Sequence, residues 1–211
     1  MAVDTFGMPP GVTSHGIEVF EKSGQFNPRP GVSEYYITAC AGGGAGGIGA
    51  GTTGGSGGNS GEGVVKAKTY IPAPLTITIG AAGQANNGGG GDTLIGDGTL
   101  RSIATTRWPN GILVGTLTGG FGGVNSGSAT DQSYLNGKMG AMGGTCGTVA
   151  SFAPHGGGGG NSIFGCGCPA GPRSTTGRPT TSTDGPWGTG GSGSATSTTG
   201  YGGQGVVIFE W

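Results

Sequence analysis

Charged residues are scarce in this sequence, and so are apolar ones. The chain of 211 residues carries 9 basic and 10 acidic side chains, for a formal net charge of −1, with no basic cluster beyond Lys66 and Lys68. Nucleic-acid binding needs clustered Lys and Arg, so we expect no nucleic-acid partner. Hydrophobic residues make up 32% of the chain, against roughly 45–50% in ordinary domains. A side-chain core of normal size is therefore excluded.

Long apolar runs and helical patterns are also missing. No segment approaches the ~18 apolar residues that cross a membrane as a helix, and the first residues lack the basic and apolar regions of a signal peptide. We therefore expect that the chain is made in a cytosol and does not insert into a membrane. No stretch repeats apolar residues at the i, i+3, i+4 spacing of a helix, so we expect almost no α-helix.

Glycine is abundant, at 56 of 211 residues. Ordering a residue's backbone costs about 1–2 kcal/mol, and glycine has no side chain whose burial could offset that cost. We expect the glycine tracts to form extended helices of the polyproline II type, with three residues per turn, that pack and hydrogen-bond through their backbones. Their spacing is not the strict third-residue repeat of collagen. The tracts are 42–63, 80–91, 119–123, 140–147, 156–160 and 188–203.

Short strand signals lie beside the tracts. The clearest is 75–79, where Leu and Ile alternate with Thr at period two. A strand at the C-terminus is expected to bring both ends of the domain into one sheet. The predicted fold class is therefore mostly β and irregular, with a small β-sheet flank beside packed polyglycine helices. The predicted strands are 17–20, 34–39, 64–70, 75–79, 93–95, 100–104 and 206–211.

The sequence divides into an arm and a domain. Residues 1–15 are short, weakly patterned and contain Pro and Gly, which indicates an attachment arm or a frayed terminus. Residues 16–211 form the predicted glycine-rich domain. Within it, the segments between glycine tracts are expected to form loops at the ends of the bundle.

Aromatic side chains in these loops are the candidate binding contacts. An aromatic residue on a rigid scaffold covers a large area with little rotamer entropy to lose. The same residues could instead fill the ends of the bundle as a small core, and the sequence leaves both interpretations open. The candidates are Trp108, Tyr134, Phe152, His155, Phe164, Trp187 and Tyr201.

Motifs that carry catalysis are poorly matched. GGGAGG at 42–47 has the G-x-G-x-x-G spacing of a dinucleotide site, but no helix can open at its last glycine. Only His15 and His155 could act as imidazole bases, and no G-x-S-x-G motif appears. We expect no catalytic residues, no cofactor and no enzyme activity.

The four cysteines are Cys40, Cys146, Cys166 and Cys168. They permit two disulfides in three connectivities, or they remain buried thiols, as is usual for a protein made in a cytosol. Three of them with His155 could ligate zinc, but a single residue between Cys166 and Cys168 is a poor match to structural zinc sites. We therefore predict no metal site.

Two stretches and the C-terminus resemble a known family. The run VFEKSGQFNPRPGVSEYYITACAGGGAGG, its continuation to residue 96, and the ending GGQGVVIFEW are similar to the glycine-rich domains at the ends of phage tail fibres. The likeness covers about residues 17–103 and 200–211. It lies in the order of strand, Pro-Gly-Val turn, strand, glycine run and closing strand.

The resemblance implies a virion tail location, recognition of a host cell-surface receptor, and a polyglycine-helix fold. The implied partners are a glycan or protein receptor and other tail or fibre proteins, with the chain a homotrimer or a monomer on a trimeric fibre. Two alternatives stay open: a structural protein that caps the tail tip, and an ice-binding glycine-rich protein with a flat Thr-rich face.

Overall fold

The computed structural model describes residues 15–48, 55, 57–84, 88–96, 115–117, 120, 157–167, 186–193 and 199–211. This part of the chain contains no helix, so no membrane-spanning helix is found in it, and its eight short strands form two antiparallel sheets. The predicted fold class, mostly β with irregular segments, is confirmed. The strands are β1 (Ile17–Phe20), β2 (Gly24–Phe26), β3 (Tyr35–Cys40), β4 (Gly63–Thr69), β5 (Leu75–Thr78), β6 (Thr93–Ile95), β7 (Gly115–Leu117) and β8 (Val206–Glu210).

The first sheet has the strand order β1-β8-β3-β4 and contains both ends of the described chain. Strand β8 lies between β1 and β3, with Phe209 opposite Glu18 on one side and Ile37 on the other. Beyond the strands, the amide N–H of Gly16 donates to the carbonyl of Trp211 at 3.0 Å, and the reverse bond is 3.1 Å. The sequence-based prediction that the last strand brings both ends of the domain, residues 16–211, into one sheet is confirmed.

The second sheet has the order β2-β5-β6-β7, and two of its four strands were not predicted. Strand β2 has the sequence GQF and pairs with β5, while β7 is GTL and pairs with β6. Three residues that include glycine carry little strand preference of their own, so their pairing partners decide their structure. The predicted strand at 100–104 lies outside the described residues.

The side-chain core lies between the two sheets and is centred on aromatic rings. Phe26 of β2 stacks on Phe209 of β8 with ring centroids 3.9 Å apart and planes 11° apart. Tyr35 and Phe20 meet this pair edge-on, at 5.3 Å from Phe26 and 5.9 Å from Phe209. Aliphatic side chains from both sheets surround the rings, among them Ile37, which is fully buried. The cluster therefore joins the sheets through side chains.

Thr93 joins the two sheets through hydrogen bonds. Its fully buried hydroxyl donates to the carbonyl of Cys40 on β3 at 3.0 Å and accepts from the amide of Gly80 at 3.0 Å. Cys40 and Gly80 each stand where a glycine tract begins. One side chain of β6 is thus bonded to the end of β3 and to the start of the glycine tract at 80–91.

The described parts of the glycine tracts form a bundle around residues 41–46, which we call the central tract. All six of its residues are buried, and each of its amides donates to a backbone carbonyl of another segment. Every third amide of the central tract donates to the same neighbouring segment. This is the pattern of an extended helix with three residues per turn. The donor–acceptor pairs are Ala41–Glu62 (2.9 Å), Gly42–Gly91 (3.0 Å), Gly43–Gly203 (2.8 Å), Gly44–Asn59 (2.9 Å), Ala45–Gly88 (2.8 Å) and Gly46–Gly200 (3.0 Å).

The carbonyls of the central tract bind three further segments. Those of Gly42, Gly43 and Gly44 each accept one amide at 2.8 Å, and the respective donors are Gly120, Gly83 and Gly191. Three acceptor segments and three donor segments thus surround one tract. A β-strand pairs with two neighbours in its sheet, whereas an extended helix with three residues per turn directs hydrogen bonds to more sides.

Close backbone approach explains why this bundle requires glycine. A Cβ added to Gly43 would overlap the carbonyl oxygen of Thr189, and one added to Gly202 would overlap the carbonyl oxygen of Gly43. Because both obstacles are backbone atoms held in hydrogen-bonded segments, no side-chain rotation can relieve the overlap. The close packing of the bundle therefore depends on the missing side chains.

Gly43→Ala is expected to destabilise the protein by at least about 3 kcal/mol, because the new methyl group forces apart two bonded segments. Gly89→Ala is the matched control: an added Cβ there meets only the Gly120 carbonyl oxygen, at 3.6 Å, so we expect a change within about 1 kcal/mol. Guanidinium denaturation of both variants measures the difference. Equal stabilities would contradict the packing described here.

Thr93→Val is expected to lower the free energy of unfolding by about 2 kcal/mol. The change keeps the side-chain volume but leaves the buried Gly80 amide and Cys40 carbonyl without the hydroxyl that binds both. Thr76→Val, at an exposed position of β5, is the control and should change stability by less than about 0.5 kcal/mol. Urea denaturation of the two variants tests this, and a neutral Thr93→Val would refute the bridging role.

Candidate functional site

A groove with a volume of about 780 Å³ runs along the outside of the bundle. This volume falls within the roughly 300–1,000 Å³ typical of ligand sites. Two hydrogen-bonded glycine segments form its floor, and a turn and a small hairpin carry its aromatic wall. The lining residues are Ala82, Gln84, Phe164, Pro186, Trp187 and the run Tyr201 to Gln204.

A glycine turn positions Trp187 in the wall. Gly188 has a φ of +70°, a conformation that L side chains rarely adopt, and its amide donates to the carbonyl of Gln204 at 2.8 Å. Before it, the carbonyl of Pro186 accepts the amide and the hydroxyl of Thr189, at 3.1 and 2.7 Å. The backbone on both sides of the indole is thereby held in place.

Phe164 lies in the hairpin turn from Ser162 to Gly165, which is closed by a backbone hydrogen bond of 2.9 Å. The Ser162 hydroxyl donates to the carbonyl of Trp187 at 2.6 Å and accepts the amide of Phe164 at 3.1 Å. The rings of Phe164 and Trp187 meet perpendicularly, with centroids 5.5 Å apart. The contact uses the edge of one ring and a face of the other, so it orients both without stacking them.

Tyr201 stands within a glycine segment. Its neighbours Gly200 and Gly202 are buried and donate to the carbonyls of Ser192 (2.8 Å) and Gly83 (3.1 Å), while the Tyr201 ring itself remains 38% exposed. A side chain anchored between two bonded glycines has little backbone freedom left. The ring is thus presented to solvent from a rigid support.

Two glutamines supply the polar groups of the groove. The Gln84 side chain donates to the carbonyl of Ala82 at 3.2 Å, and that of Gln204 donates to the carbonyl of Glu21 at 3.3 Å. Each of these contacts uses one amide N–H, and a primary amide also has a second N–H and a carbonyl oxygen. Among the described residues, no charged side chain lines the groove. The described lining of the groove is therefore aromatic, amide-bearing and uncharged.

The structure brings three of the seven candidate contact residues, Phe164, Trp187 and Tyr201, into this one groove. They lie along the outside of the bundle, and Tyr201 belongs to a glycine segment although the sequence places it in a loop. The other four, Trp108, Tyr134, Phe152 and His155, lie outside the described residues.

Sequence reasoning missed the two glutamines and Pro186. A signal for Gln84 and Gln204 was present, because each is a long polar residue that interrupts a glycine run (GAAGQ and GGQG). Such a side chain cannot fit inside the bundle, so it must face outward. Which outward direction it takes depends on how neighbouring segments pair, and the sequence does not show that pairing.

In the described part of the chain, no cysteine and no candidate metal ligand lines the groove. Within the described ranges no three His, Cys, Asp or Glu side chains come close enough to hold a metal ion. Cys40 and Cys166 are free thiols, the first buried and the second exposed, whereas Cys146 and Cys168 lie outside those ranges. Burial raises the pKa of the Cys40 thiol from 9.0 to about 12, which outweighs the opposing effect of a backbone hydrogen bond at Val206.

No protein-family model and no curated protein sequence matches this chain.

Iodoacetamide at pH 8 is expected to alkylate Cys166 in the native protein and to leave Cys40 unmodified. The reactive species is the thiolate, and a pKa of about 12 leaves the buried Cys40 protonated at that pH. Peptide mass spectrometry before and after unfolding in guanidinium measures the modification, and Cys40 should react only after unfolding. Native labelling of Cys40 as fast as that of Cys166 would contradict this expectation.

Proposed function

We propose that this chain is a non-enzymatic adhesin of a virion tail tip or tail fibre, which binds a receptor on the host cell surface. The observation that carries the proposal is the grouping of Phe164, Trp187 and Tyr201 in one groove on a rigid glycine scaffold. The resemblance of residues 17–103 and 200–211 to phage tail-fibre domains also supports it.

The scaffold suits a binding module because it lowers the cost of binding. Association loses about 0.5–1.5 kcal/mol for each flexible side chain that it orders. Here the backbone bonds around Tyr201 and the Ser162–Trp187 bond already restrict the aromatic wall. Rings that are ordered before contact leave more of their interaction energy for affinity.

The proposal assigns the remaining candidates to the same function. Trp108, Tyr134, Phe152 and His155 would add contacts from the segments between glycine tracts. Other tail or fibre proteins would hold the chain, with residues 1–15 as the attachment arm. A tail-tip cap without receptor contact is the competing interpretation.

The test is surface labelling of a panel of bacterial strains with the chain fused to a fluorescent protein, read by flow cytometry. We expect the wild-type fusion to label a subset of strains. The double variant Trp187→Ala/Tyr201→Ala should lose at least about tenfold in apparent affinity, because central aromatic anchors carry much of an interface's energy.

Tyr36→Ala is the matched control, since Tyr36 is 37% exposed, close to the 38% of Tyr201, but lies on β3 away from the groove. It should label cells as the wild type does. Labelling of no strain by the wild type would favour the structural cap. Equal loss in the control and the double variant would remove the groove from the binding site.

A further inference from the structure

The groove is the described feature whose chemistry says most about a ligand. It combines aromatic rings, two amide side chains and an uncharged lining. We propose that it binds an uncharged sugar segment, a short run of neutral hexose units within a cell-surface glycan. This inference rests on the proposed adhesin function and names the class of receptor.

The aromatic wall matches one side of such a ligand. A π-system carries partial negative charge on its face, and the axial C–H bonds of a pyranose ring carry partial positive charge. Trp187 is half-buried and Tyr201 is 38% exposed, so both contribute to a surface that a ligand can reach. A hexose ring can lie on this surface with its hydroxyl groups directed outward around its rim.

The glutamines match those hydroxyl groups. The backbone bond between Gly202 and Gly83 sets two antiparallel segments side by side and places Tyr201 at the level of Gln84. Gln204, three residues beyond Tyr201, brings a second amide to the same groove. Each amide can donate and accept at once, and neighbouring hydroxyls of a sugar offer the complementary pair.

The lining disfavours other ligand classes. The strongest hydrogen bonds to an anionic ligand come from Arg or Lys, and in the described part of the chain no such side chain lines the groove. A wholly apolar peptide would cover both amides without bonding them, at roughly 1–3 kcal/mol for each polar group left unsatisfied. An uncharged, hydroxyl-rich ligand meets neither obstacle.

The experiment is a microbial glycan array probed with the purified chain, followed by calorimetric titration of each retained oligosaccharide. We expect retention of uncharged glycans. Trp187→Ala should weaken binding at least about tenfold, and Gln204→Leu, which keeps the size but removes the amide, should weaken it about tenfold. Gln25→Leu, at an exposed glutamine of β2 outside the groove, should bind as the wild type does.

Each outcome decides the proposal. Retention of charged glycans only, retention of none, or unchanged binding by both groove variants overturns it. Binding of an apolar peptide that competes at the groove also overturns it. Surface labelling of cells by the same protein preparation separates the sugar-site proposal from the adhesin proposal. Labelling of cells without binding of uncharged glycans refutes the sugar site and leaves the adhesin function standing. Denaturation curves matching the wild type establish that the variants are folded.

Discussion

Backbone hydrogen bonding among the glycine tracts is the interaction on which the rest of this structure depends. The central tract is buried and has only two Cβ atoms, those of Ala41 and Ala45, so its amides and carbonyls must find partners within the protein. All six amides and the carbonyls of Gly42, Gly43 and Gly44 bond to six surrounding segments. A helix with three residues per turn directs these bonds to several sides. Glycine allows the backbones to come closer than any side chain would permit. A low apolar content is thereby compatible with a dense interior.

The sheets and the groove both follow from this bundle. The aromatic cluster around Phe26 and Phe209 joins the sheets at one end of the tracts, and Thr93 bonds the sheets to the points where two tracts begin. Gly188 has a positive φ, and a Cβ added to it would overlap the Cys40 side chain. The turn that results holds Trp187 at the groove. The groove and the scaffold are thus consequences of the same backbone packing.

Sequence patterns predicted most of the regular structure but only part of the site. Alternation and β-branched content predicted six of the seven proposed strands close to where they are observed, β8 among them, and the seventh, 100–104, lies outside the described residues. The strands β2 and β7 were missed because their short sequences become strands only beside β5 and β6. Phe164 and Trp187 were predicted as contacts because they are aromatic residues between glycine tracts. The glutamines were missed because their role depends on which segments lie side by side.

The sequence by itself determined the kind of interior this protein has. So much glycine with so few apolar residues excludes an ordinary core and requires packed extended backbone, because only backbone groups remain to offset the ordering cost. Tertiary structure alone decided which tracts bond to which, and hence that Phe164, Trp187 and Tyr201 share one groove with Gln84 and Gln204. Glycine tracts are nearly identical in sequence, so their composition cannot specify partners. The strands at their ends, and side chains such as Thr93, do differ and place particular tracts side by side.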